Sequence, residues 1–221
     1  MNDVKDFTTV RITFEKKGRA RYISHLDLNR TMIRALRRAE LPIWYTEGFN
    51  KHPYVTFAAP LSLGFEGARE TMDVRLNEEY DMDELVHRLD AVMPEGLHVT
   101  AAAFAVKKAG DVDRAVYEVT LGCSRADVEA FLSQPAIVVK KKTKKKVWKE
   151  LDLAPVLQNA QSDICDREEG VSWQLTLPCN STDSVNPSLV TEALRAFLGQ
   201  DELPCAVRRL AVLDKDGNPF A

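Results

Sequence analysis

The chain has 221 residues, of which 45% are hydrophobic and 29% charged, and its formal net charge is −3. At about 150 residues per domain this makes one or two domains able to bury their own core, and the balance excludes wholesale disorder. No apolar run reaches the roughly 18 residues of a bilayer span, and the opening MNDVKDFTTV is too polar for a secretory signal, so a cytoplasmic protein with no membrane attachment is expected.

Taken in chain order, VRITFE (10–15) alternates apolar and polar residues and predicts a strand, and KKGR (16–19) a turn. Ser24 with Asp27 three residues on is an N-cap signature, and the helix it opens runs to about Ala39 and stops before Pro42. Residues 43–59 read as extended segments broken by Gly48 and Pro53. ETMDVRL (70–76) is a second alternating strand, Asp81 and Glu84 cap a second helix, and HVTAAAFAV (98–106) is a further strand. The order strand, helix, strand, strand, helix, strand is the ferredoxin-like βαββαβ plan.

The same order returns after the polar break KKAGDVD (107–113). AVYEVTLGC (115–123) is a strand, Ser124 and Asp127 cap a helix, AIVV (136–139) and VSWQLTLPC (171–179) are strands, Asn186 and Pro187 start a helix, and AVRRLAVL (206–213) closes the pattern. The predicted fold is therefore α+β: two tandem ferredoxin-like domains, residues 1–110 and 111–221, with antiparallel sheets and helices on one face. Residues 140–170 fit least well and read as a long hairpin with a short helix, DLAPVLQNAQ (152–161), at its base.

Charge is unevenly distributed. Residues 11–52 sum to +6, residues 66–95 to −7, and residues 140–149 hold seven lysines and no acid. On the first helix, a step of about 100° per residue puts Arg30, Arg34, Arg37 and Arg38 together, opposite Leu28, Met32, Ile33, Ala35, Leu36 and Ala39. Like charges at i,i+4, as in 30/34 and 34/38, disfavour a helix by a few tenths of a kcal/mol, so a counter-charge is expected. It is either a local acid, with Glu47, Glu66 and Glu70 as candidates, or a bound anion gripped by the guanidinium forks.

The loop EGFNKHPYVTFAAPLSLGFEG (47–67) follows Trp44 and Tyr45 and adds Phe49, Tyr54, Phe57 and Phe65. Basic groups interleaved with aromatics hold phosphates while bases stack, and with Arg21 they make Phe49, Asn50 and His52 candidate nucleotide contacts. The alternative for the rings is a core lining. His52 is also the single candidate for acid–base catalysis, though no paired carboxylate, Cys or Ser is fixed beside it, and a histidine next to proline is commonly a loop hydrogen-bonder. Ser24 beside His25 is better used as the cap. VVKKKTKKKVWKELD (138–152) reads as a basic β-hairpin, with Lys140, Lys142, Lys144 and Lys146 on one face and Trp148 at its base: a phosphate-gripping arm, or a solvated tip.

GxxxxGK[ST], GxGxxG and HExxH are all missing, and the histidines at 25, 52, 87 and 98 do not cluster. Cys123, Cys165, Cys179 and Cys205 lack CxxC spacing and are expected to be buried thiols rather than metal ligands. No metal or cofactor is expected.

The elements F-x-K-x-G-x-A-R-Y-I-S-H-L-D, R-x-x-R-R-A-x-L-P, G-F-x-x-H-P, P-L-x-L-G and E-x-x-D, all within residues 10–76, resemble the N-terminal signature of the radical-SAM-linked protein family. Beyond residue 110 the likeness is looser, carried by E-L-D (150–152) and R-R-L (208–210). The resemblance implies an uncharacterised bacterial domain encoded beside, or fused to, a B12-binding radical SAM protein, and hence an accessory role. It implies no reaction, and the chain lacks the CxxxCxxC of a cluster site. The expectation is a non-catalytic accessory protein that binds tRNA or ribosomal RNA. The alternatives are an enzyme on a small anionic substrate, with His52 as acid/base and the arginines as clamp, and a protein–protein adaptor.

Overall fold

The structure is a computed structural model that describes residues 7–142, 148–158 and 163–220. In chain order its elements are β1 (Thr8–Lys16), a 3-10 turn (Gly18–Tyr22), α1 (His25–Arg38), β2 (Val55–Thr56), β3 (Glu66–Leu76), α2 (Met82–Asp90), β4 (Leu97–Phe104), β5 (Val112–Leu121), α3 (Arg125–Leu132), β6 (Val138–Lys142), β7 (Trp148–Asp152), α4 (Ala154–Leu157), β8 (Ile164–Arg167), β9 (Gly170–Pro178), α5 (Pro187–Leu198) and β10 (Cys205–Asp214). The fold is α+β with mostly antiparallel pairing. The chain divides into two compact units, Met1–Asp113 with Arg209–Ala221, and Arg114–Arg208.

In the first unit the strand order is β4-β1-β3 with β2 paired to β3, and each of these pairings is antiparallel. The alternation of β1 puts Val10, Ile12 and Phe14 on one face, where they are buried with Leu28, Met32 and Leu36 of α1 and Leu85 and Leu89 of α2. Each such side chain contributes about 1.5–3 kcal/mol on burial. The predicted caps form: Asp27 N–H donates to Ser24 Oγ (3.1 Å) and Glu84 N–H to Asp81 Oδ1 (2.8 Å).

Alternation predicts polar, wetted residues on the other face of β1. Instead Arg11 and Thr13 are buried, at 5% and 6% exposure. Arg11 forks onto Asp73, its register partner, with Nε–Oδ1 at 2.8 Å and Nη2–Oδ2 at 2.9 Å. Its other N–H groups donate to the carbonyls of Phe220 and Lys107, both at 2.8 Å, and its guanidinium lies 3.9 Å from the centre of the Phe220 ring. The Lys107 ammonium in turn reaches Asp214 (2.6 Å) and the Pro219 carbonyl (2.6 Å). A charged arginine survives here because four of its five N–H groups end on acceptors, two of them on a carboxylate.

A second buried ionic group closes the core beside the 3-10 turn. Arg209 forks onto Glu70, with Nε–Oε1 at 2.9 Å, and also donates to the Ala59 carbonyl (2.5 Å). Lys16, 2% exposed, donates to the carbonyls of Arg21 (3.2 Å) and Ile23 (3.5 Å). Gly67 makes room for this arrangement: a Cβ there would sit 2.4 Å from Glu70 Cγ. Gly67→Ala is therefore expected to cost about 1–3 kcal/mol, the range for overpacking, read as a lower urea midpoint at unchanged slope.

The second unit has strand order β10-β5-β9-β8, with β5–β9 and β8–β9 antiparallel. Val119, Leu121, Trp173, Leu177, Phe131, Val190 and Leu194 are buried in its core. Three readings need correction. AIVV does not join this sheet but leads into a separate two-stranded ribbon, β6–β7. The sheet position expected of it is filled by β8, whose burial pattern (one buried residue, then three exposed) offers no alternation to read. The helix expected over 152–161 shortens to Ala154–Leu157, its end lying outside the described residues. Of the cysteines only Cys123 is buried; Cys179 and Cys205 are partly exposed and Cys165 is exposed.

Candidate functional site

α1 presents its arginines as the wheel predicts. Leu28, Met32, Ala35 and Leu36 are buried, while Arg30, Arg34, Arg37 and Arg38 are exposed. Arg30 lies 3.2 Å from Asp27, but both side chains are more than half exposed, and such pairs contribute about 0–1 kcal/mol. The Asp27 carboxyl is held below its usual value mainly by the Ser24 hydroxyl, with Arg30 and Arg34 adding to it. Arg38 donates one N–H to the Val92 carbonyl (2.8 Å). Among the described residues, Arg34 and Arg37 have no carboxylate within ion-pair distance, and Arg37 instead sits 6.0 Å from the Tyr45 ring.

Of the acids offered by the sequence as local counter-charges, Glu66 and Glu70 are engaged elsewhere, and Glu47 is not within ion-pair distance of the α1 arginines. Glu70 holds Arg209. Glu66 accepts from the Gly18 N–H (2.9 Å) and lies 3.7 Å from Arg21. Arg21 is thus half-buried and paired: besides Glu66 it donates to the Tyr22 hydroxyl (2.7 Å) and lies over the Tyr22 ring. Its carbonyl takes both the Lys16 ammonium and the Gly64 N–H (2.8 Å). Arg21 therefore belongs to the turn's scaffold, apart from the arginine row on α1.

Residues 44–54 form a stapled loop. Tyr45 bridges to Pro53, the Thr46 N–H donates to the His52 carbonyl (2.9 Å), and Tyr54 N–H donates to the Trp44 carbonyl (3.3 Å). His52 Nδ1 donates to the Asn50 carbonyl (2.9 Å) and lies 3.2 Å from Thr46 Oγ1. These contacts make His52 a loop staple, and among the described residues no carboxylate or thiol is bonded to it. Phe49, at the tip beside Gly48 (φ +106°), is fully exposed. The other rings divide: Trp44 and Tyr54 stack on Arg75 with Phe7, and Phe57 meets His25 edge-on at 5.0 Å. The Arg37–Tyr45 contact joins the base of this loop to the arginine row, so guanidinium groups and an exposed ring share one surface.

The lysine arm lies in the second unit. Lys140 is exposed and Lys141 donates to the Ser184 carbonyl. Lys142 is the last residue of β6, and Lys144 and Lys146 lie outside the described residues.

Sequence reasoning missed the Lys16–Glu70–Arg209 cluster, because polar positions in alternating strands read as solvent-facing. Burial pushes the Lys16 ammonium below its ordinary 10.5; Glu70 opposes this and Arg209 adds to it. Between that lowered value and 10.5 the unfolded chain binds more protons than the folded one, so stability rises with pH. Wild type is accordingly expected to gain stability over Lys16→Met as pH is raised from neutral toward 10.5, in paired urea titrations.

Three cavities of about 350, 540 and 320 Å³ are lined by residues other than His52 and the α1 arginines. Among the described residues, no three His, Cys, Asp or Glu side chains are placed to hold a metal ion. No helix among them is long and apolar enough to cross a membrane.

No curated protein matches the chain in sequence. Among solved structures it is similar to that of an unknown protein from Galdieria sulphuraria, at 12% identity and a TM-score of 0.28, over 92% of this chain and 98% of that one. Residues 9–187, which take in β1, the turn, the arginine helix, the loop and the ribbon, match the family described as "Uncharacterized protein conserved in bacteria (DUF2344)", and the chain belongs to that family.

Proposed function

We propose that the protein is a non-catalytic accessory factor that binds RNA, tRNA or ribosomal RNA, in the cytoplasm and presents it to a B12-binding radical SAM partner. The observation that carries the RNA reading is the α1 surface. Arg34 and Arg37 have no carboxylate partner among the described residues, Arg38 has one backbone acceptor, and Arg37 packs by Tyr45 under the loop that exposes Phe49. Guanidinium forks match phosphate, and an exposed ring on a stapled loop offers a stacking platform at low ordering cost. Arg30, Arg34, Arg37 and Arg38 contact phosphates, and Phe49, Asn50 and His52 contact a nucleotide. The radical SAM partner rests on the motifs of residues 10–76.

Each unit is read here as a ferredoxin-like module. In the first, β1 lies between β4 and β3 with β2 outside β3; in the second, β5 lies between β10 and β9 with β8 outside β9. These orders support the split βαβ reading, with the β6–β7 ribbon and α4 inserted between α3 and β8 in the second unit.

The test is titration of labelled tRNA at two salt concentrations with wild type and an Arg34→Ala/Arg38→Ala variant. Binding at low salt that weakens in the variant supports the reading; no binding, or binding indifferent to the two substitutions, rejects it. Co-purification with the radical SAM protein that survives nuclease treatment, without RNA binding, favours the adaptor reading instead.

A further inference from the structure

β1 carries two buried polar side chains whose hydrogen-bonding capacity the first unit does not exhaust. Four of the five Arg11 N–H groups end on Asp73, Phe220 and Lys107. The fifth, on Nη1, has no acceptor among the described residues. Two residues on, Thr13 is buried, and its hydroxyl makes no hydrogen bond among the described residues; only its carbonyl is engaged, by the Thr100 hydroxyl (3.2 Å). Alternation puts Arg11 and Thr13 on the same face of the strand. Buried polar groups ordinarily find partners, so two unmet ones on one face call for an acceptor that the chain does not supply.

Both residues line a cavity of about 320 Å³ whose walls belong entirely to the first unit. Arg11, Thr13 and Phe220 are its buried members, and Phe104 and Val106 its exposed ones. Ala103, the register partner of Arg11 on β4, also lines it and leaves it open because its side chain ends at Cβ. The charge around the cavity is already balanced. Arg11 forks onto Asp73, and the ammonium of Lys107, another lining residue, reaches Asp214. An anionic guest meets those two carboxylates along with the two cations and gains no net attraction, whereas an uncharged oxygen needs only the spare N–H and the hydroxyl. Apolar walls with a few convergent polar groups are the usual make-up of a small-molecule site.

We infer that this cavity binds an uncharged, largely apolar small molecule through one carbonyl oxygen, which accepts from Arg11 Nη1 and from the Thr13 hydroxyl. No α1 arginine and no residue of the 44–54 loop lines it, so this site does not depend on the RNA-binding reading.

The test is titration of the ¹⁵N-labelled full chain with benzamide, followed by the amide shifts of Ala102, Ala103 and Phe104. Toluene, which lacks the oxygen, and benzoate, which adds a charge, are titrated beside it. Benzamide is expected to saturate these shifts and to bind more tightly than either. Thr13→Val keeps the side chain's shape and suits a strand; it is expected to weaken benzamide binding about fivefold, the loss of one hydrogen bond, and to leave toluene binding unchanged. Ala103→Leu, which fills the cavity, is expected to abolish binding of both. Absence of saturation by benzamide, equal or tighter binding of benzoate or toluene, or unaltered benzamide affinity in Thr13→Val overturns the proposal. Retained toluene binding in Thr13→Val separates a lost hydrogen bond from a lost fold.

Discussion

Glu70→Gln is expected to destabilise the protein by about 3–5 kcal/mol, the range for removing one partner of a buried ion pair. Glu70 and Arg209 are 4% and 2% exposed, and the carboxylate lies between the Arg209 fork and the influence of the Lys16 ammonium. The amide keeps the shape but not the charge, and leaves the buried cations Lys16 and Arg209 without that carboxylate. Most of the loss is thus the penalty of stranded charge rather than the worth of the pair. The cost should fall when the charge is removed as a set: Lys16→Met/Glu70→Leu/Arg209→Met is expected to be more stable than Glu70→Gln alone. Urea unfolding at constant slope is the measurement, and a Glu70→Gln loss below about 1 kcal/mol contradicts the argument.

The Arg34→Ala/Arg37→Ala/Arg38→Ala variant carries the largest expected effect on binding. Each phosphate neutralised adds about 0.7–0.9 to the salt slope of log affinity, depending on whether the RNA is single- or double-stranded. Losing three contacts flattens the slope by about 2–3, so the ratio of wild-type to variant affinity shrinks roughly 20–40-fold between 50 and 200 mM salt. Parallel slopes for the two proteins show that these guanidinium groups do not touch phosphate. Ala is a better helix former than Arg, and the side chains removed are exposed, so α1 itself is expected to persist.

Much of the first unit was legible because local rules and tertiary demands agree there. Ser24 and Asp81 cap the helices that their spacing announces, as Ser124 does in the second unit, and the period of α1 separates Leu28, Met32 and Leu36 from the arginines. The row of like charges was readable for the same reason. Which acids neutralise which arginines was not. Glu66 and Glu70 lie close to α1 in sequence number, but a β-strand projects them toward Arg21 and Arg209. Alternation in β1 and β3 identifies a core-facing side and is silent on whether the reverse side is wet; Arg11 and Asp73 are covered by Phe220, more than 140 residues away along the chain. In the second unit β8 has neither alternation nor an apolar run, and only its pairing with β9 makes it a strand. A loop hydrogen-bonding role for His52 was already favoured by its place beside Pro53, and coordinates were needed only for the partners, the Asn50 carbonyl and the Thr46 hydroxyl.

The return of residues 209–221 to the first unit has a consequence for biogenesis. Arg11 is made 209 residues before one of its acceptors, the carbonyl of Phe220, and Glu70 waits for Arg209. While the ribosome is still translating the second unit, the first holds an anion and a cation whose sockets are incomplete. Completion of the first unit's core therefore waits for residues 209–220, and a fragment cut at Asp113 is not a self-sufficient piece of this protein.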